Sequence, residues 1–159
     1  MRFRTAHARV DYPMDTFDPT KHWMQERVRT VGSLLDSIAS GVIRHTPVSI
    51  GDVAVASSLV ENLILHAPVN PVVLREARVG LDVVDGSWRV SVMRSFMDGT
   101  LVLANMTYFP EFNGMTRYEV NPLALRRFLE AQVRATVVTL GMNDAMADRY
   151  VAQINQRKG

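Results

Sequence analysis

The sequence predicts an α+β domain: a small antiparallel sheet, built as a three-strand meander with a candidate fourth strand, packed by a long N-terminal helix and by C-terminal helices. Three observations predict it. Apolar residues recur at helical spacing over 23–42, they alternate at strand spacing around Asp85-Gly86, and helical spacing returns after Asn121-Pro122. A chain of 159 residues that is 47% hydrophobic and 21% charged has the size and composition of one domain with its own core. Residues 1–159 are therefore expected to form a single domain, with an arm and loop over 1–18 and a C-terminal helix and tail over 143–159.

Taken in order, Arg2 to Val10 form an arm with strand character, and Asp11 to Pro19 a loop marked by two prolines and three acids. Asp18 is a suitable N-cap with Pro19 in the first helical position. The long helix is expected to run from there to about Arg44, with Trp23, Met24, Val28, Val31, Leu35, Ile38 and Val42 as its apolar stripe. Pro47 stops it, because proline lacks the amide hydrogen and disfavours helix at Thr46. Residues 51–66 fit both a helical and an alternating pattern, and a short helix is the preferred reading. Val79, Leu81 and Val83 then alternate, Asp85-Gly86 marks a hairpin, and Trp88, Val90 and Val92 alternate on the return. Asp98-Gly99 marks a second hairpin leading into Thr100–Tyr108, with Thr116–Val120 as the candidate edge strand. Asn121-Pro122 opens a helix whose stripe is Leu125, Phe128, Leu129, Val133, Val137 and Leu140, with Arg126, Glu130 and Arg134 one turn apart. Gly141 ends it and Asn143 caps a last short helix.

Composition narrows the chemistry. The chain has no cysteine, which excludes disulfides, cysteine-ligated zinc and a cysteine nucleophile. No run of about 18 apolar residues predicts a membrane helix, and Met1-Arg2-Phe3-Arg4 has no apolar segment behind it, so no secretory signal is expected. Net charge is +2 at a pI near 9.3, short of the basic excess of a dedicated nucleic-acid binder. The cations are sixteen arginines and only Lys21 and Lys158; arginine's planar fork suits carboxylates, phosphates and interfaces.

Motifs for catalysis or cofactors are lacking. His7, His22, His45 and His66 have no paired metal spacing, and His45 and His66 suit helix ends. Asp11, Asp15 and Asp18 lack the glycine and terminal glutamate of a calcium loop. Gly32 and Gly41 stand singly, without a phosphate-binding loop, and Ser57-Ser58 has no base nearby in sequence and no Gly-x-Ser-x-Gly elbow. Arg2 and Arg4 would project to one side of an extended arm, toward phosphate or an acidic neighbour. Tyr108-Phe109-Pro110-Glu111-Phe112 is a ring-rich stretch in a connection, suited to a core lid or a contact surface.

The order of three short motifs resembles the neck, tail-completion or head–tail joining proteins of long-tailed bacteriophages. In that family a long helix ends in Pro-Val-Asp-Thr-Gly, a small sheet follows with Asn, Tyr and a Glu-apolar-Gly segment, and a proline-led segment with Phe-Leu closes the pattern. Here Pro47-Val48 and Gly51 match the first motif, Asn105, Tyr108, Glu111-Phe112 and Gly114 the second, and Pro122 with Phe128-Leu129 the third. Ser49 and Ile50 replace the expected Asp and Thr, Asn113 is inserted, and 52–71 has no counterpart. The resemblance implies a virion structural protein assembled in the host cytoplasm, with no catalysis and no cofactor or metal. Its partners would be further copies in an oligomeric ring, a portal or connector, and tail-tube subunits, with non-specific contact with DNA through arginines and none with membrane. Arg2, Phe3, Arg4, Tyr108, Phe109 and Phe112 are the expected interface residues, and Pro47, Gly51 and Gly114 the structural turns. The alternatives are another virion part, such as a capsid cement, tail-tube or terminator protein, and a small cytoplasmic enzyme or ligand-binding domain.

Overall fold

Val72-Val73-Leu74 is the shortest route into the architecture, because all three residues are buried although they alternate sides of a strand. Only a strand inside a sheet with both faces covered satisfies that. The computed structural model describes residues 24–139 and 144–156, and there Val72–Glu76 (β3) is the central strand. The remaining elements are β1 (Met24–Thr30), α1 (Val31–Ala39), β2 (Ile43–Arg44), α2 (Val53–Ile64), β4 (Leu81–Asp85), α3 (Ser87–Met97), α4 (Pro122–Glu130), β5 (Gln132–Val138) and α5 (Asp144–Gln156), with a single 3-10 turn at Pro110–Phe112.

The sheet is mixed, in the order β1-β5-β3-β4-β2. β5 runs antiparallel to β1 and parallel to β3; β4 runs antiparallel to β3 and parallel to β2. Val72 and Leu74 lie beside Ala135 and Val137 and join the core built with α1 to α4. Phe96 of α3 and Phe128 of α4 meet edge to face at 4.8 Å in that core.

The expected architecture is therefore corrected. The protein is α+β, but its sheet has five strands in mixed order and is not an antiparallel meander, and no long helix spans 18–44. Residues 24–30 are a strand because they pair over their whole length with β5, from Met24↔Val138 to Thr30↔Gln132. Thr30 then caps α1, its side chain accepting from the Ser33 amide at 3.1 Å. The helical spacing of Val31, Leu35 and Ile38 belongs to α1, and ran backward by chance into Val28 and Met24. Trp88, Val90 and Val92 alternate but lie in α3, a helix buried around most of its girth, so its apolar residues are not confined to one stripe at helical spacing. Gly86, taken for a hairpin residue, is the left-handed cap (φ +88°) that turns β4 into α3. Thr100–Tyr108 and Thr116–Val120 are not strands. Val133 and Val137 are four apart, which mimics a helical stripe, yet with Ala135 they line one face of β5. Arg126 does meet Glu130 at 2.8 Å, whereas Arg134 lies 3.7 Å from Glu26 across the sheet. The segment whose period was ambiguous is α2, capped by Asp52, and Asn121 caps α4 ahead of Pro122. The arm and loop at 1–18 and Asn143 lie outside the described residues.

The true β3–β4 turn contains Gly80. Its φ is +77°, and a Cβ there would stand 2.5 Å from the Val42 carbonyl oxygen, which already accepts from the Leu81 amide at 2.9 Å. This close approach attaches β2 to the sheet, and Arg44 reinforces it by donating to Asp82 at 2.6 Å and to the Val79 carbonyl. Gly80→Ala is expected to destabilise the fold by roughly 2–4 kcal/mol, the left-handed conformation and the backbone clash adding. Urea unfolding checks this; a loss below about 0.5 kcal/mol, the range of neutral surface changes, would show that β2 does not depend on the turn.

Candidate interaction surface

A long connection, 98–121, joins α3 to α4 with one 3-10 turn as its only regular structure. Connections of this length inside a compact domain are uncommon and usually functional. Its apolar residues Leu101, Leu103, Met106, Phe112 and Val120 are buried in the core. Leu103 donates to the Met115 carbonyl and accepts from the Gly114 amide, at 2.9 and 2.7 Å, so the two arms of the loop lie against each other. Gly114 takes φ +83° and Asn105 φ +52° in the turns.

Two side chains of α2, one helical turn apart, hold this connection from inside. Ser57 is fully buried, and its hydroxyl accepts from the Ala104 amide at 3.0 Å. Glu61 is only 5% exposed, and its Oε1 accepts from the amides of Thr107 and Tyr108 at 3.1 and 3.2 Å. Its Oε2 is buried without a hydrogen-bond partner. Asn113 Oδ1 accepts from the Met106 amide at 2.9 Å, and Arg117 donates to the Met97 carbonyl at 2.7 Å. Backbone groups that a loop would ordinarily leave to water are thus satisfied internally. Outward the connection carries polar and acidic residues, Asp98, Glu111 and Glu119 among them, together with Tyr108, 68% exposed, and Tyr118, 73%; Leu123, at the start of α4, is 63% exposed.

Among the described residues singled out from sequence, exposure differs. Tyr108 is exposed, Phe109 is half-buried and stacks on Phe112 at 5.5 Å, and Phe112 belongs to the core. Arg2, Phe3 and Arg4 lie outside the described residues. Pro47 is exposed in the link between β2 and α2; Gly51 in the same link has φ +63°. Sequence reasoning missed Glu61. The available signal was a serine and a glutamate four residues apart on the face of α2 that also carries Val60 and Ile64, where a polar pair needs a buried partner.

Two histidines act as braces. The His45 Nε2–H donates to the Ser87 carbonyl at 3.0 Å, while Nδ1 accepts from the Arg94 guanidinium at 3.2 Å. These bonds commit both ring nitrogens and leave no lone pair on Nε2 for the Ser91 hydroxyl 3.5 Å away. Ser91 instead accepts from the Val48 amide at 2.9 Å, tying down the Pro47–Gly51 link. Burial, and to a lesser degree Arg94, push the His45 pKa below its ordinary value, against the Ser87 carbonyl, which raises it. His66, in the left-handed region at φ +58°, donates to the Arg127 carbonyl at 2.8 Å, and Arg127 donates to the Ile64 carbonyl at 2.8 Å, so α2 and α4 clip each other's ends. A cleft of about 700 Å³ opens beside this clip, between His66–Val69, Glu130, Gln132 and Arg134.

Among the described residues no three His, Asp or Glu side chains are grouped as metal ligands, and no helix is long and apolar enough to cross a membrane. No family model, curated protein or solved structure matches the chain.

Glu61→Ala is expected to cost about 2–4 kcal/mol, since it removes the acceptor of two part-buried amides and opens a cavity. It should also accelerate hydrogen exchange at Thr107 and Tyr108, while Glu61→Gln retains an acceptor and should cost less. Unchanged exchange at those two amides in the alanine variant would remove Glu61 as the brace. His45 supplies a pH dependence. Because its folded pKa is lowered, the unfolded chain binds the proton more readily. Its contribution is complete above the unfolded value of about 6.5 and is lost as pH falls through the folded value. Wild-type stability should therefore decline on acidification below that point more steeply than that of His45→Gln; parallel profiles would contradict it.

Proposed function

We propose that this chain is a structural subunit of a bacteriophage virion, one of several copies in a ring joining the head connector to the tail, with no catalytic role. The observation that carries the proposal is the 98–121 connection. Buried polar groups, Ser57 and Glu61 above all, hold it rigid, while Tyr108 and Tyr118 stand in solvent. Rigid exposed aromatics are the residues that anchor protein interfaces at small entropic cost. The ordered motif Asn105, Tyr108, Glu111-Phe112, Gly114 lies within this connection and supports the same reading. The hydrogen-bond roles of His45, Ser91 and His66 are explained as braces between elements and ask for no reaction. The partners are other copies of the chain, a portal or connector and tail-tube subunits, with DNA contacted only non-specifically through arginine.

Light scattering on the full chain over a range of concentrations tests this. The expected result is a mass well above the 17.8 kDa of one copy, reached alone or on addition of a portal or tail-tube subunit. A chain that stays monomeric throughout, and that is missing from purified virions, would overturn the proposal.

A further inference from the structure

We propose that two different surfaces of this chain fit each other, so that the β1 margin of one copy docks on the 98–123 platform of the next. The inference rests on the assembly reading above and names its contact. Among the described residues β1 is the long edge of the sheet: seven residues, paired there only with β5, and exposed on both faces except for half-buried Arg29. Edge strands with free backbone groups are templates for association. Met24 and Val28 are exposed on one face of this strand, matching the apolar side chains of Tyr108, Tyr118 and Leu123 on the platform.

Charge decides which surface meets which. The β1–β5 margin carries Arg27, Arg29 and Arg134 against Glu26. The platform carries Asp98, Glu111 and Glu119 against Arg117; Arg117 donates to the Met97 carbonyl, as Arg29 on the margin donates to Ser37. Each surface has a surplus of one sign, and the signs are opposite, which favours their meeting and disfavours like with like. Pairing of β1 with itself about a two-fold axis fares badly. Residues keep their face in such a pair, so the fullest register sets Arg27 opposite Arg27. Shifting it one way sets Glu26 opposite Glu26, and the other way sets Arg27 opposite Arg29. A contact between unlike surfaces is heterologous and continues from copy to copy until it closes or extends.

The test mixes two variants of the full chain. In the margin variant, Arg27→Glu and Val28→Asp spoil one surface; in the platform variant, Tyr108→Ala and Glu111→Lys spoil the other. All four side chains are exposed, and thermal melting confirms that each variant folds. Alone, each is expected to lose assembly and run as a monomer by light scattering. Mixed in equal amounts, they retain one intact margin and one intact platform between them, and are expected to form dimers and nothing larger. Assembly of either variant alone at the wild-type level, or a mixture that stays monomeric while the wild type assembles, overturns this contact and leaves the assembly reading standing. A wild type that stays monomeric alone and with portal or tail-tube subunits overturns this contact, and its absence from purified virions as well overturns the assembly reading.

Discussion

Glu61 places a carboxylate inside the protein and spends one of its oxygens on two consecutive amides, Thr107 and Tyr108. Much of the structure beyond the sheet follows from that arrangement. A charged group that is 5% exposed costs several kcal/mol in desolvation unless strong donors meet it. The loop supplies those donors, and in return cannot move without abandoning the carboxylate. Ser57, one turn earlier, makes the neutral version of the same bond to Ala104. These three bonds convert an irregular stretch of chain into a fixed surface, with Tyr108 on the outside and Met106 and Phe112 on the inside.

The sheet provides the frame on which α2 is held. β3 lies between the parallel β5 and the antiparallel β4, and its Val72 and Leu74 meet the helices that carry Glu61, Phe96 and Phe128. The helices are joined to one another by backbone capture more than by ion pairs: His66 takes a carbonyl of α4, Arg127 takes one of α2, and His45 takes one of α3. The first two satisfy carbonyls in the last turns of α4 and α2 that helix C-termini leave open, and all three keep their value at salt concentrations that screen surface pairs such as Arg126–Glu130.

Local chemistry was legible in the sequence and long-range pairing was not. Asn121 before Pro122 marks the start of α4, because capping and a fixed φ act within a few residues. Residues 24–30 carry no alternation, since both faces of β1 are exposed, and nothing local distinguishes them from a helix. Their strand conformation is imposed by β5, more than a hundred residues away in sequence. Gly86 shows the same limit on a smaller scale, because a positive φ serves a hairpin and a helix cap equally well and only the following packing of Val90, Met93 and Phe96 chooses. In the candidate surface, the aromatic stretch at 108–112 could be seen in sequence as ring-rich, but not divided into an exposed Tyr108 and a buried Phe112. That division depends on Glu61, whose partners lie more than forty residues further along the chain.

Two surface features remain: among the described residues, an exposed edge strand with a surplus of positive charge, and an acidic platform carrying exposed tyrosines and held from beneath. Their complementarity is the centre of the account, and hydrogen exchange followed by mass spectrometry on dilute and concentrated samples of the full chain addresses it most directly. The account predicts slower exchange on concentration in two places, the 24–30 strand and the 98–123 platform, with the rest of the described residues unchanged. Protection confined to other segments, or none while the chain demonstrably assembles, would contradict it.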